Sequence, residues 1–219
     1  MIVESPQLLS PPLTMPAEPV EGNYFVAAYP PFSMWREELV PAAYEMLDRN
    51  RAGQRDRPFG LYVHVPFCAH RCQYCYYLSY AGRRRGEMDE YVDALVQELA
   101  ICYGTPAFDR RKLAFVYFGG GTPSLLSTRS TRRLMTDLKV LFPWTDVEEV
   151  TFECAPRSVT RRKMRALREL GVNRVSLGVQ QLNDEVLRLN GRVHRVTDVE
   201  RAYAAIQSVG FDEVNLDLI

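Results

Sequence analysis

The chain has 219 residues, 47% of them hydrophobic and 25% charged, with 27 basic side chains against 27 acidic ones. A formal charge of zero gives no electrostatic footprint for nucleic acid or an anionic membrane surface, and no apolar run approaches the roughly 20 residues of a membrane-spanning helix. Five cysteines, three of them within eight residues, make a poor disulfide framework, and the N-terminus lacks a charged leader followed by an apolar segment, so a reducing cytoplasm fits best.

Residues 1–20 carry Pro6, Pro11, Pro12, Pro16 and Pro19 with little periodic pattern, which predicts an irregular, disordered arm. Residues 21–58 read as an aromatic and helical extension. Its aromatic-dense stretch Asn23–Trp35 leads into a short helix over 35–50, interrupted or restarted near Pro41. A polar linker, Arg51–Pro58, closes it.

From residue 59 strand and helix alternate. Leu61–Val65 reads as the first strand, followed by an amphipathic helix over Met88–Tyr103 with Met88, Tyr91, Val92, Leu95 and Leu99 on one face. Phe115–Phe118 is the second strand, with a helix near Thr131–Phe142 behind it. Val150–Glu153 is the third, and the helix over Thr160–Leu170 ends at Gly171, a suitable C-terminal cap. Val175–Val179 is the fourth strand, followed by a helical piece at Asp184–Leu189. A last helix opens at the capping box Thr197–Glu200 and stops at Gly210, and Val214–Ile219 is the fifth strand. The basic clusters at residues 83–85, 110–112 and 161–163 fall at element boundaries or on polar helix faces and predict solvated surface.

Five strands alternating with helices predict an α/β fold with parallel pairing and right-handed crossovers. The architecture expected for residues 59–219 is a partial (β/α) barrel, whose chemistry belongs at the C-terminal strand ends. Polar candidates stand there. Three cysteines follow the first strand and a triple glycine follows the second, while Glu153 ends the third, Gln180 ends the fourth and Asp217 lies near the end of the fifth. The sequence stops at Ile219, directly after an apolar strand, although a parallel strand needs neighbours on both edges. The expectation is a fragment, a truncated reading frame or half of a split enzyme.

Cys68, Cys72 and Cys75 are spaced C-x3-C-x2-C. Three thiolates can hold three corners of a four-iron, four-sulfur cluster. Such clusters usually take four cysteines, so a three-cysteine site implies an open iron that does chemistry. Structural zinc, with His64 or His70 as fourth ligand, is the alternative. Cys102, on the core face of a helix, and Cys154, at a strand end, fit the commoner role of small buried hydrophobes. Tyr62 and His64 alternate with Leu61, Val63 and Val65 and are expected to face the barrel interior. His64 reads equally well as a packed core histidine.

Seven motifs in order carry a family resemblance: Leu61-Tyr-Val-His-Val-Pro-Phe-Cys68, the cysteine triplet with Tyr74, Phe118-Gly-Gly-Gly-Thr-Pro-Ser124, Phe152-Glu153, Ser176-Leu-Gly-Val-Gln180, Gly191-Arg-Val-His194 and Asn215-Leu-Asp-Leu-Ile219. The chain resembles the radical S-adenosylmethionine enzymes, in particular the oxygen-independent coproporphyrinogen III oxidase-like group. The resemblance implies a 4Fe-4S cluster on Cys68, Cys72 and Cys75, with S-adenosylmethionine on its open iron. It also implies cofactor contacts at Tyr62, Tyr74, Gly120, Gly121, Thr122, Glu153, Gln180, Arg192 and Asp217. The glycines would let the methionine part approach, with backbone groups free to hydrogen-bond, although a plain strand-to-helix turn would use them too. Arg192 suits a carboxylate through its planar fork, and the two acidic residues suit amino or ribose hydroxyl groups.

The activity implied is electron transfer from the cluster to the sulfonium, giving a 5′-deoxyadenosyl radical that abstracts a substrate hydrogen. Expected partners are a small-molecule substrate, such as a tetrapyrrole, and an electron donor such as flavodoxin or ferredoxin. Nucleic acid and a membrane span are not expected. The best-characterised oxidases carry a further cysteine two residues after the cluster motif, whereas here Tyr76-Tyr77 follows Cys75. The Gly191–His194 run resembles the oxidase-like relatives, haem chaperones included. Three readings are therefore open: tetrapyrrole oxidation and decarboxylation, methyl transfer or ring closure on a secondary metabolite, and a haem chaperone without turnover.

Overall fold

The computed structural model describes residues 36–48, 57–75, 77–108 and 111–219. The proline-rich arm and the aromatic stretch expected over residues 1–35 lie outside these. The chain divides into two compact units, residues 1–42 and 43–219. A 3-10 turn at Glu37–Leu39 in the first is followed by helix α1 (Val40–Asp48), which continues past the boundary at residue 42. Pro41 falls in the first turn of α1, where its missing N–H costs no helical hydrogen bond.

In the second unit five parallel strands stand in the order β1 (Phe59–Val65), β4 (Leu113–Gly120), β5 (Glu149–Cys154), β6 (Arg174–Gln180) and β7 (Glu213–Leu218). A two-residue parallel ladder, β2 (Phe67–Cys68) with β3 (Tyr80–Ala81), interrupts the series at the cysteine loop. Helices α2 (Arg85–Tyr103), α3 (Thr128–Leu141) and α4 (Arg161–Glu169) fill the first three crossovers, and α5 (Asp184–Leu189) with α6 (Val196–Gln207) the fourth. All five long strands and every helix expected after residue 59 are present. The short ladder has no sequence signature, because two residues cannot display an alternation.

Strand alternation splits the sheet into two unlike faces. Val63, Val65, Val116, Phe118, Val150, Phe152, Val175, Leu177 and Val179 are buried in one core with Val92, Leu134, Leu138, Met164, Leu167 and Ile206 of the helices. Phe118 and Phe152 meet at 5.2 Å between ring centroids in its middle. Burying a side chain of this size contributes about 2–3 kcal/mol. The opposite parity carries Tyr62, His64, Tyr117, Glu149, Thr151, Glu153, Arg174, Ser176, Asn215 and Asp217, so the other face is polar. At its lower end Arg174 pairs with Glu149 at 3.0 Å and with Glu213 at 3.8 Å, which closes the polar face away from the cysteine loop.

The helix ends follow the side chains available. Ser127 and Thr160 accept from the N–H groups of Ser130 and Lys163 and so cap α3 and α4. As expected, Gly171 ends α4: it has φ 90°, and the N–H groups of Gly171 and Val172 close onto the carbonyls of Arg168 and Leu167, a Schellman motif. The box that opens α6 lies two residues earlier than its sequence suggested. Arg195 is the N-cap, and its N–H donates to the Asp198 carboxylate at 3.0 Å, so Thr197 is already helical. The short reach of Asp198 back to its own N-cap displaced the Thr-x-x-Glu pattern. Lys163 also departs from the solvated surface expected of its cluster. Its ammonium donates to the Ser124 carbonyl, and burial pushes its pKa down.

Candidate cofactor site

A cavity of about 640 Å³ opens on the polar face at the C-terminal ends of the strands. Its rim is the cysteine loop. Pro66 ends β1, the β2–β3 ladder brings the chain back with Tyr80 N–H on the Pro66 carbonyl at 2.6 Å, and the three thiols are carried between. Within the loop Cys75 N–H donates to Cys72 O at 3.2 Å and Arg71 donates to Cys75 O at 3.2 Å. All five cysteines are free thiols.

Two distant segments clamp this loop. The first is the turn after β4, where Gly121 N–H donates to Val65 O at 2.9 Å and Thr122 N–H to Phe67 O at 2.7 Å. A Cβ on Gly121 would fall 2.8–2.9 Å from the backbone of Pro66 and Phe67, so glycine is required by a close approach of two backbones. These N–H groups are therefore engaged within the protein, and not free for a ligand as the glycine motif suggested. The second clamp is the end of α5. Gly191, at φ 70°, lets Gly191 and Arg192 donate to the carbonyls of Arg188 and Leu187, another Schellman motif, while Asn190 O receives Gln73 N–H of the cysteine loop at 3.2 Å. This turn delivers Arg192. Its Nη1 donates to Cys72 Sγ at 3.1 Å and its Nη2 to Gly178 O at 2.8 Å. His194 supports the turn from below, with Nε2 3.0 Å from Val179 O.

The floor is a chain of polar side chains across four strands. Tyr117 donates to Glu153 Oε1 at 2.8 Å. Ser176 donates to Asp217 at 2.9 Å, and Asn215 donates to Asp217 Oδ1 at 2.6 Å. Burial, and then the nearby Asp217 charge, push the Glu153 carboxyl upward, while the Tyr117 hydroxyl and the Gly120 N–H hold it back. Burial raises Tyr117 as well, with Glu153 adding to it, and raises Tyr62 to about 12.

Of the residues predicted from sequence, Cys68, Cys72, Cys75, Tyr74, Gly120, Gly121, Thr122, Glu153, Gln180, Arg192 and Asp217 line this one cavity. Tyr62 stands behind the wall, stacked on Tyr117 at 5.9 Å with its hydroxyl 3.3 Å from His64 Nδ1. The Nε2 atom of His64 lies 3.1 Å from the Leu78 carbonyl, so this ring props the return of the cysteine loop. Tyr117, Ser176 and Ser79 also line the cavity and were not singled out from sequence. Tyr117 and Ser176 share strand parity with Gly119 and Gly178, and that alternation was the signal available.

The lining fits a polar cofactor on a cluster. Gln180 Oε1 and Arg192 Nε are buried without a hydrogen-bond partner and face the cavity, where the Tyr74 and Ser79 hydroxyls lie beside the Cys72 and Cys68 thiols. Buried polar atoms normally find partners, so two orphans on one space mark where a ligand's polar groups belong. Gln180 is also held at φ 67°, the only positive value at a non-glycine among the described residues. Backbone strain of this kind gathers at ligand sites. Among the described residues no three His, Cys, Asp or Glu side chains converge to hold one metal ion. The thiols instead surround a space, and a cluster spreads its ligands over separate irons.

Known proteins resemble this chain over most of its length. The curated relatives include the heme chaperone HemW of Bacillus subtilis, 36% identical over 159 residues, covering 72% of this chain and 41% of the relative. They also include the oxygen-independent coproporphyrinogen III oxidase of Escherichia coli, 38% identical over 167 residues, covering 75% of this chain and 35% of the relative. The solved structure of coproporphyrinogen III oxidase (HemN) from Escherichia coli, a radical SAM enzyme, superposes with a TM-score of 0.77 at 32% identity, covering 89% of this chain and 44% of that one. The chain thus spans about two fifths of the length of these relatives. The profile of the Radical SAM superfamily matches residues 62–219. With that match over most of its length, the chain belongs to the radical SAM superfamily, whose cofactors are a 4Fe-4S cluster and S-adenosylmethionine.

Proposed function

We propose that this chain is the cofactor-binding core of a coproporphyrinogen III oxidase-like enzyme that oxidises and decarboxylates a tetrapyrrole side chain. The observation that carries the reading is the single cavity that joins three thiols, two acidic residues and the unpartnered polar atoms of Gln180 and Arg192. Cys68, Cys72 and Cys75 would hold the cluster, and Tyr74, Gly120, Glu153, Gln180, Arg192 and Asp217 the S-adenosylmethionine, with Gly121 and Thr122 shaping the wall and Tyr62 supporting from behind. When bound, this pair supplies reductive cleavage of the sulfonium and a carbon radical able to abstract hydrogen.

The chain's own residues do the holding. Glu153 and Asp217 are fixed by Tyr117, Ser176 and Asn215, so two acceptors stand ready for the amino and hydroxyl groups of the nucleoside. Two of the three guanidinium nitrogens of Arg192 are engaged, which leaves Nε–H for the ligand. Glu153 is half-buried beside Tyr117, whose ring is backed by Tyr62, which limits water at that wall and strengthens each polar contact there. A cytoplasmic location and an electron donor of the flavodoxin or ferredoxin type belong to the same reading. Among the described residues no helix is long and apolar enough to cross a membrane.

A second reading, a haem chaperone, is favoured by one observation: relatives with that name match this chain at 36% identity, beside 38% for an oxidase. Anaerobic reconstitution with iron and sulfide, followed by assay for 5′-deoxyadenosine with coproporphyrinogen III and a strong reductant, tests the first reading. Product formation supports the oxidase. Stoichiometric haem binding with no 5′-deoxyadenosine in the presence of substrate would transfer the assignment to the chaperone. One zinc and no acid-labile sulfide would remove both.

A further inference from the structure

Two of the three cluster thiols receive hydrogen bonds from side chains far outside their own loop. Arg192 Nη1 donates to Cys72 Sγ at 3.1 Å, across 120 positions of sequence, and Thr122 Oγ1 donates to Cys68 Sγ at 3.6 Å, across 54. Both donors are fixed by contacts that no cofactor is needed to form. Thr122 is pinned through its N–H to Phe67 O, and Arg192 is placed by the Gly191 turn and by its second arm on Gly178 O. Among the described residues no side-chain hydrogen bond of this kind reaches Cys75.

We infer that Thr122 and Arg192 tune the cluster: by donating to the Cys68 and Cys72 sulfurs they raise its reduction potential. The inference rests on the cluster assignment made above. Reduction adds one electron, whose charge is shared with the thiolate sulfurs. A hydroxyl or guanidinium donor stabilises the more negative, reduced form more than the oxidised one, which shifts the potential upward. Arg192 adds a full positive charge to its hydrogen bond, so its contribution exceeds that of Thr122. The consequence is a cluster that accepts an electron from a weaker reductant than a bare triplet of thiolates would require. A sequence motif does not reveal this pairing, because Arg192 and Thr122 both read as ligands of S-adenosylmethionine alone.

The test is a redox titration followed by electron paramagnetic resonance, on the whole chain reconstituted anaerobically and without S-adenosylmethionine. Wild type is compared with Thr122→Val, Thr122→Ser, Arg192→Gln and Arg192→Lys, each analysed for iron and sulfide. The expected result is a lower potential in T122V, recovery in T122S, and a larger drop in R192Q than in R192K, all at wild-type iron and sulfide content. Unchanged potentials in T122V and R192Q with full clusters would overturn the inference and leave the cluster assignment intact. Loss of iron and sulfide in T122V and R192Q, unrelieved in T122S and R192K, would equally overturn it, by showing that the two residues build the site without tuning it. Failure of the wild-type chain to take up iron and sulfide would instead overturn the cluster assignment.

Discussion

Tyr117 donates its hydroxyl to Glu153 Oε1 at 2.8 Å across adjacent strands, while its ring stacks on Tyr62. The bond opposes the effect of burial, which pushes the Glu153 carboxyl upward. Replacing Tyr117 by Phe keeps the stack and removes the donor. A hydrogen bond to a charged group is worth about 1.5–3 kcal/mol, and part of that should appear as binding. We expect Y117F to fold normally and to bind S-adenosylmethionine about tenfold more weakly, measured by anaerobic equilibrium dialysis. Unchanged affinity would place Glu153 outside the cofactor contacts.

Gln180 gives a prediction in which stability and binding move apart. Its φ of 67° is costly for an L-residue, by roughly 1–2 kcal/mol. Gln180→Ala removes the amide and keeps the strain, whereas Gln180→Gly removes both. Glycine returns up to about 1 kcal/mol through its freedom in the unfolded chain. We expect Q180G to be more stable than Q180A by about 0.5–1 kcal/mol in urea unfolding, with both losing affinity for S-adenosylmethionine. Q180A proving the more stable of the two would show that the backbone there is unstrained.

These two residues show how unevenly the sequence speaks. The alternation of Val63, Val65, Val116 and Phe118 with Tyr62, His64 and Tyr117 announces two sheet faces, because a strand's period of two is local and robust. The five strand ends could be read for the same reason, and they define most of the cavity. Three things could not be read. The Gly121 turn looks like a ligand cradle until the Pro66–Phe67 backbone is seen against it, and that approach is tertiary. The β2–β3 ladder is too short for a pattern. Arg192 lies 120 positions from Cys72, so their contact depends on the α5 turn that Gly191 permits.

The Gly121 contact predicts its own test. A Cβ there meets backbone atoms at 2.8–2.9 Å, and backbone yields less readily than a side-chain tip. Gly121→Ala should cost about 1–3 kcal/mol by overpacking and loosen the cysteine loop, so that reconstituted iron falls with stability. Gly86, in the first turn of α2, has nothing within 4 Å of the same position. Gly86→Ala should therefore stabilise the chain, by up to about 1 kcal/mol through helix propensity. Thermal unfolding of the pair checks both signs at once, and a stable G121A would dismiss the clamp.

His194 supplies the pH dependence. It is buried beneath the Arg192 turn with Nε2 against Val179 O, and burial followed by the Arg192 charge lowers its pKa from the ordinary 6.5. The neutral ring is thus the form the fold accepts. Well above pH 6.5 the folded and unfolded chains both hold it neutral, and its contribution is fully present. As pH falls through about 6.5 the unfolded chain binds a proton that the folded chain refuses, and stability drops by up to about 1.4 kcal/mol per pH unit until the lower folded value is reached. Glu149 and Asp198, whose carboxyls are held below their usual range, titrate at more acid pH and leave this window clear. Glu153 is shifted the other way, but it is common to both proteins in a comparison with His194→Gln. The variant keeps a donor for Val179 O, so we expect a loss of about 1 kcal/mol at pH 7.5. Between pH 6.5 and 5 its stability should decline less than that of wild type. Parallel curves from urea unfolding across that range would show that His194 accepts its proton without resistance, and the buried-neutral reading would fail.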